Sequence, residues 1–208
     1  MAGPFSPEDF EKLIPANKKL DPNWLRSLTA RGEPTLYRGE DTKWIGMPVG
    51  GIGCGQLYLG GDGKLWHWDI LNLPQAQNFS DTSGPNYSHP PRQASPFEQG
   101  FAIRIKIGDR VIQRTLDRKG FPHVAFQGQY PVGKVMYHDP DFPARVTLEA
   151  FSPFIPLNTE DSCLPATILS YEIENTGKEE MEIELAGWLE NPVCLGSGKP
   201  GQGSRIFR

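Results

Sequence analysis

The chain has 208 residues, a formal net charge of −4, 38% hydrophobic side chains and 22% charged ones. That length can bury a core without cross-links, and the slight acidity gives no electrostatic basis for partnership with nucleic acid or an anionic membrane. With 23 glycines and 20 prolines, the composition suits a turn-rich β protein better than a helical one. No apolar run approaches the roughly 18 residues of a spanning helix, so no transmembrane segment is expected. The N-terminus also lacks the basic-then-apolar pattern of a secretory signal, as in a cytoplasmic protein or a secreted parent whose signal has been trimmed. The 3 cysteines, Cys54, Cys163 and Cys194, are widely spaced, which excludes a C-x-x-C zinc or redox motif and argues against a disulfide framework.

Helix signals are confined to the start. Ser6-Pro7-Glu8-Asp9 supplies a cap, a proline for the first turn and acids for the positive helix end. Asp21-Pro22 repeats the pattern, with Trp24, Leu25 and Leu28 as an apolar face and Gly32 as terminator. One or two short helices are therefore expected within a lead-in spanning residues 1–35.

A strand-rich domain is expected over residues 36–195. Gln56–Leu59 and Lys64–Ile70 read as strands joined by Gly60-Gly61-Asp62-Gly63, a hairpin signal. Residues 74–96 are polar and proline-rich without periodicity, which predicts a long loop. Phe101, Ile103, Ile105 and Ile107 then alternate with Arg104 and Lys106, and Gly108-Asp109 turns into a strand over Arg110–Arg114. Further strands are predicted at His123–Gln127 and Val132–Tyr137 around Gly128-Gln129-Tyr130-Pro131, and at Arg145–Phe151. Two more, Thr167–Glu174 and Glu179–Leu189, flank Asn175-Thr176-Gly177-Lys178. Aliphatic residues alternating with charges describe antiparallel strands packed on one face, and many short strands at close spacing imply an antiparallel β-sandwich. Residues 196–208 are glycine-rich at first and read as a flexible tail.

Several sites suggested by local composition lack their mechanical parts. From Gly51 and Gly53 the third glycine of a G-x-G-x-x-G would fall on Gln56, and from Gly53 and Gly55 on Tyr58. No helix pattern follows, and Gly63-Lys64 lacks the remainder of a P-loop, so a structural corner outweighs a phosphate loop. His67, His89, His123 and His138 have no metal-ligand spacing, and neither metal nor cofactor is expected. In Trp66-His67-Trp68-Asp69 a strand would place both indoles on one face. They could stack on sugar rings with Asp69 binding hydroxyls, or they could fill the core, where large aromatics more often go. Asp139-Pro140-Asp141 reads as a turn, and Glu172, Glu174, Glu182 and Glu184 as solvent-facing charges. Asn78-Phe79-Ser80 and Asn86-Tyr87-Ser88 match the glycosylation triplet, which recurs often by chance.

Four segments carry a resemblance. Ile45–Asp69 is similar to the opening segment of the bile-acid β-glucosidase, or non-lysosomal glucosylceramidase, family (glycoside hydrolase family 116). So are Glu149-Ala150-Phe151-Ser152-Pro153-Phe154-Ile155-Pro156-Leu157, Leu164-Pro165-Ala166-Thr167 and Ala186-Gly187-Trp188-Leu189-Glu190-Asn191-Pro192. The resemblance spans about Leu36 to Val193. It implies an N-terminal β-sandwich preceding an (α/α)6 toroid that carries the nucleophilic and acid/base carboxylates of a retaining β-glycosidase. Both would then lie beyond Arg208, with the tail leading towards them, and no catalytic residue is assigned within the chain. The implied partners are that catalytic domain and, through the whole enzyme, a β-glucoside or glucosylceramide-like substrate. Glu190 lies in a motif that the family places in the sandwich. Trp66, Trp68, Asp69 and Trp188 are the candidates for carbohydrate contact or a domain interface. A free-standing carbohydrate-binding module and a plain interaction domain are the alternatives.

Overall fold

The structure, a computed structural model, describes residues 18–30, 32–69 and 98–191, with Ser6, Glu8, Asp9, Lys12 and Ser95 besides. The predicted loop over residues 74–96 (apart from Ser95), both glycosylation triplets and the glycine-rich tail lie outside the described residues. Two compact units are present, Met1–Glu33 and Pro34–Arg208.

In the first unit, Pro22–Thr29 is an α-helix with Pro22 at its start. The Asp21 carboxylate accepts the Asn23 backbone N–H at 2.8 Å, the expected cap. Ala30 is already extended, so the helix stops before Gly32. Trp24, Leu25 and Leu28 are all exposed. At the earlier helix signal, Ser6 Oγ accepts the Asp9 N–H at 3.2 Å while the Asp9 carboxylate accepts the Ser6 N–H at 3.0 Å, a reciprocal capping pair. No described helix is long and apolar enough to cross a membrane.

The second unit contains β1 (Leu36–Arg38), β2 (Gly46–Pro48), β3 (Gln56–Gly60), β4 (Leu65–Asp69), β5 (Gln99–Ile107), β6 (Arg110–Thr115), β7 (His123–Gln129), β8 (Val132–His138), β9 (Ala144–Phe151), β10 (Ile168–Asn175) and β11 (Glu182–Leu189). A five-stranded sheet runs β1-β7-β8-β9-β10, and two three-stranded sheets run β11-β5-β6 and β2-β3-β4. Every described pairing is antiparallel. The fold is mainly β, an antiparallel sandwich as expected. The two small sheets make up its second layer.

Register places the core. Val124 pairs with Tyr137, Tyr137 with Val146, and Val135 with Leu148, so these side chains share one face of the large sheet. All of them are buried. Opposite them lie Leu57, Leu59 and Leu65 of the β2-β3-β4 sheet and Ile103 and Ile105 of β5, within one hydrophobic cluster. The layers meet closely at Gly133, where an added Cβ would stand 2.7 Å from Leu59 Cδ2. The small sheets are joined through Gln99, whose side-chain amide donates to the Leu65 carbonyl at 2.8 Å and extends the ladder from β5 to β4. On the outer faces, the predicted solvent charges pair across strands: Arg104 with Glu184 at 2.8 Å, and Lys134 with Glu149 at 2.7 Å.

Two buried polar groups fix the loops between layers. Tyr137 is fully buried and its Oη donates to the Asp62 carbonyl at 3.0 Å. Burial pushes its phenol well above the usual tyrosine range, so it stays a donor. That bond draws the β3–β4 turn onto the sheet so closely that a Cβ on Gly63, at φ +87°, would lie 1.8 Å from Tyr137 Oη. Asp117, also buried, organises the β6–β7 connection. Its Oδ1 accepts from Thr115 Oγ1 at 2.8 Å and from the N–H groups of Lys119 and Gly120 at 2.8 and 3.0 Å. Its Oδ2 pairs with Lys64 Nζ at 3.1 Å, tying this connection to the β3–β4 turn.

Gly63→Ala should destabilise the fold by about 3 kcal/mol, combining left-handed strain with overpacking. Tyr137→Phe alone should cost about 1 kcal/mol for the lost hydrogen bond. Because the clashing atom is the hydroxyl itself, the double variant should be more stable than additivity allows, as read by urea unfolding of all four species. Asp117 yields a pH prediction. Burial raises its pKa, but Thr115, the Gly120 N–H and Lys64 outweigh burial and the net shift is downward. A depressed folded-state pKa contributes stability that is complete above the unfolded value, about 4, and vanishes as pH falls through the folded value. Asp117→Asn should flatten the loss of thermal stability below about pH 4.

Candidate functional site

Three connections converge at one end of the five-stranded sheet, where β7 ends, β8 begins, β9 ends and β10 begins. They are the β2–β3 connection (residues 49–55), the turn between β7 and β8, and the β9–β10 connection (residues 152–167). The glycine-rich segment sits against the last of these. Ile52 N–H donates to the Ser162 carbonyl at 3.0 Å, and Thr167 Oγ1 donates to the Val49 carbonyl at 2.7 Å. The Cys54 thiol points to the Cys163 carbonyl at 3.0 Å. Contact is tight enough that a Cβ on Gly51 would lie 2.2 Å from the Leu164 carbonyl oxygen. The glycines therefore serve close backbone approach, as a structural corner requires.

The longer connection is braced from within. Ser162 is buried; its Oγ accepts the Ile155 N–H at 2.9 Å and donates to the Ile155 carbonyl at 3.1 Å. A one-turn helix, Thr159–Ser162, is capped by Asn158, whose Oδ1 accepts the Asp161 N–H at 3.1 Å. Ser152 Oγ donates to the Ala166 carbonyl at 2.9 Å. This internal scaffold holds an apolar surface outward. Ile52, Phe154, Ile155 and Leu164 are exposed, and Leu157 is fully exposed. Leu157 also adopts φ +66°, a left-handed conformation costing about 1–2 kcal/mol for a non-glycine residue. Tyr130 packs edge-on against Phe154 at 5.3 Å between ring centroids. Five large apolar residues on short cross-linked loops suit a macromolecular contact better than catalysis.

The residues singled out by sequence lie elsewhere. Trp66 and Trp68 are buried, 6% and 7% exposed, and Trp68 belongs to the core cluster. Trp66 covers Gly60, where an added Cβ would be 2.0 Å from its Nε1. Asp69 ends β4, paired with Gln56, and its side chain lies outside the described residues. Trp188, on β11, is 43% exposed with its indole lying over Gly100 of β5. Glu190 is buried, and its carboxylate accepts the Glu98 N–H at 2.9 Å, closing the end of the β5–β11 ladder. The Asp161 carboxylate accepts from Asn158 Nδ2 at 2.7 Å within the cap. Asp139-Pro140-Asp141 is a turn, with Asp141 N–H on Asp139 Oδ1 at 2.9 Å, and Asp139 also holds Arg114 at 2.8 Å. Sequence reading missed the convergence of Ile52, Phe154, Ile155, Leu157 and Leu164. Its one visible trace is that three of the four family-like segments contribute residues to this cluster: Ile52 from the first, Phe154, Ile155 and Leu157 from the second, and Leu164 from the third.

A family model described as beta-glucosidase 2, glycosyl-hydrolase family 116 N-term, matches residues 46–205. The chain belongs to that family. The match begins at β2, leaves out the first unit, β1 and the 3₁₀ helix Gly39–Trp44, and takes in β2 to β11 with the loop cluster they carry.

Gly51→Ala forces a Cβ onto a backbone carbonyl that has no rotamer to escape by. We expect destabilisation of about 2–3 kcal/mol by chemical denaturation, with increased protease cleavage in residues 152–167. Gly32→Ala, which meets nothing within 4 Å, is the control.

Proposed function

We propose that this domain braces the catalytic domain of a retaining β-glucosidase of family 116, and that the loop cluster is where it does so. The reading rests on the family match, which names an N-terminal part of a glycosidase, and on one structural observation. Ile52, Phe154, Ile155, Leu157 and Leu164 stand exposed on loops that buried hydrogen bonds hold rigid. The two catalytic carboxylates belong to the partner domain on this reading, a toroid of helices. A retaining enzyme needs them about 5 Å apart, and a rigid neighbour helps keep them there. The tip of the cluster at Leu157 also contributes to one wall of the substrate cleft. The substrate class is a β-glucoside with an apolar aglycone of the glucosylceramide kind.

A second reading, a carbohydrate-binding module, keeps Trp188 alone of its three candidate indoles, since Trp66 and Trp68 are buried. Calorimetry with cello-oligosaccharides distinguishes the two readings. Heat of binding that disappears in Trp188→Ala would replace the bracing role with the module.

Two measurements test the bracing role. The 208-residue chain alone should show no turnover of an aryl β-glucoside. In the whole enzyme, Ile155→Asp with Leu157→Asp should lower kcat at least tenfold by disturbing carboxylate placement, while the same changes leave the thermal stability of the 208-residue chain within about 1 kcal/mol of wild type. Unchanged kcat in the whole enzyme would overturn the assignment.

A further inference from the structure

A second surface feature lies at the other end of the five-stranded sheet, and the bracing role does not use it. Register identifies its floor. Tyr37 pairs with Phe126 on the core face, so Leu36 and Arg38 of β1 share the outer face with Ala125. By the same alternation His123, Met136 and His138 lie on that outer face. The 3₁₀ helix Gly39–Trp44 and the β6–β7 connection rise beside it and enclose a cleft of about 550 Å3. That volume falls within the range of small-molecule sites, roughly 300–1,000 Å3.

Charge in this cleft is unbalanced. Lys43 pairs with Glu40, and Arg145 pairs with Glu174. Arg38 and Arg118 also line the cleft, and their side chains form no hydrogen bond or ion pair with any described residue. At Arg118 the Nε and Nη2 atoms are both withdrawn from solvent without a partner. Withdrawn N–H groups without an acceptor are costly, and buried polar groups are nearly always satisfied; the Glu40 carboxylate, which feels the Arg118 charge, is already paired with Lys43. The Asp117 network anchors the loop that carries Arg118, so the guanidinium is held by a fixed backbone. His123 and His138 sit directly opposite each other, rings stacked at 6.2 Å, and add donors at the cleft's edge. The rest of the floor is apolar: Leu36, Ala125 and Met136.

We propose that this cleft binds a small organic anion, its carboxylate or phosphate head held by Arg118 and Arg38 and its apolar body lying on Leu36, Ala125 and Met136. Guanidinium groups match the paired oxygens of either head group. The apolar floor makes the body a second determinant of affinity. Glu40 at the rim repels a polyanion but leaves room for a single head group.

The test is titration of the 208-residue chain, by calorimetry and by NMR shifts of Ala125 and His138, with octanoate, octyl phosphate, acetate and inorganic phosphate. At least one octyl ligand should bind and exceed its short counterpart by roughly tenfold or more, the worth of two buried methylenes. Octanoate alone would identify a carboxylate site and octyl phosphate alone a phosphate-ester site, both supporting the proposal. Arg118→Gln and Arg38→Gln should each weaken binding about tenfold, the value of a charge-assisted hydrogen bond. Arg118→Lys should recover only part of it. Ala125→Phe keeps both arginines and fills the floor, so it should abolish octyl binding without unfolding the sheet. Failure of both octyl ligands at millimolar concentration, affinity unchanged in Arg118→Gln, or equal affinity for the short anions would each overturn the proposal.

Discussion

The bond from Tyr137 Oη to the Asp62 carbonyl is the constraint on which the inner architecture depends. A fully buried phenol must find an acceptor, and here the acceptor is a backbone oxygen in a turn of the opposite layer. The requirement propagates. The turn must approach without a side chain, which places glycine at position 63, and a Cβ at Gly61 would likewise lie 2.4 Å from the Thr42 carbonyl. Thr42 is itself buried in the 3₁₀ helix, so that helix is seated by the same turn. Lys64, next along the chain, reaches Asp117 and fixes the β6–β7 connection. One hydroxyl thus sets the relative positions of three connections that belong to different sheets.

The two ends of the five-stranded sheet differ in chemistry. At one end, the Ile52 N–H and the Thr167 hydroxyl tie two connections together, serine hydroxyls brace the longer one from within, Tyr130 packs the third against Phe154, and the side chains left over are large and apolar. At the other, the outer face carries arginines and histidines over a small apolar floor. Hydrogen-bonded loops give up little entropy on docking a partner, so the first end is suited to a permanent contact. The second is concave and cationic, which suits a small ligand. The core between them does not have to change for either purpose, and each surface can be altered without touching the other.

Much of the fold was legible because burial on one face imposes a period of two. Strands β7 to β10 follow that alternation, whereas β11 is exposed along most of its length, Leu185 and Leu189 included; the predicted limits of β5 to β11 lie close to those found. Legibility failed for β1, β2, the 3₁₀ helix and the turn Thr159–Ser162. Each is too short to show a period, and the two strands among them exist because another strand pairs with them, as Leu36 does with Gln127 and Met47 with Leu59. The candidate surfaces failed for a related reason. Ile52 and Leu157 are more than a hundred positions apart and nothing local joins them; the contact between Gly51 and the Leu164 carbonyl does. Arg118 looks like any basic residue in a turn until the Asp117 network shows that its backbone is held. The tryptophans of β4 drew attention for their size, and size is what sends Trp66 and Trp68 inside.

Rigidity of the loop cluster is the property that the proposed bracing of a retaining glycosidase requires. Such an enzyme works only while two carboxylates keep a separation of about 5 Å, and a displacement of order 1 Å is costly in rate. A flexible neighbour would transmit its own fluctuations to that geometry. Here each apolar contact residue sits within a few positions of a buried hydrogen bond: Ile155 is bonded to Ser162 through both its N–H and its carbonyl, and Ile52 donates to the Ser162 carbonyl. Leu157 is held in a left-handed conformation that a free loop would relax. Strain of that kind persists only where the surroundings over-determine the backbone. An exposed leucine held in that conformation gains nothing in the isolated domain; under the proposed bracing role it is the residue that an apolar surface of the catalytic domain would cover.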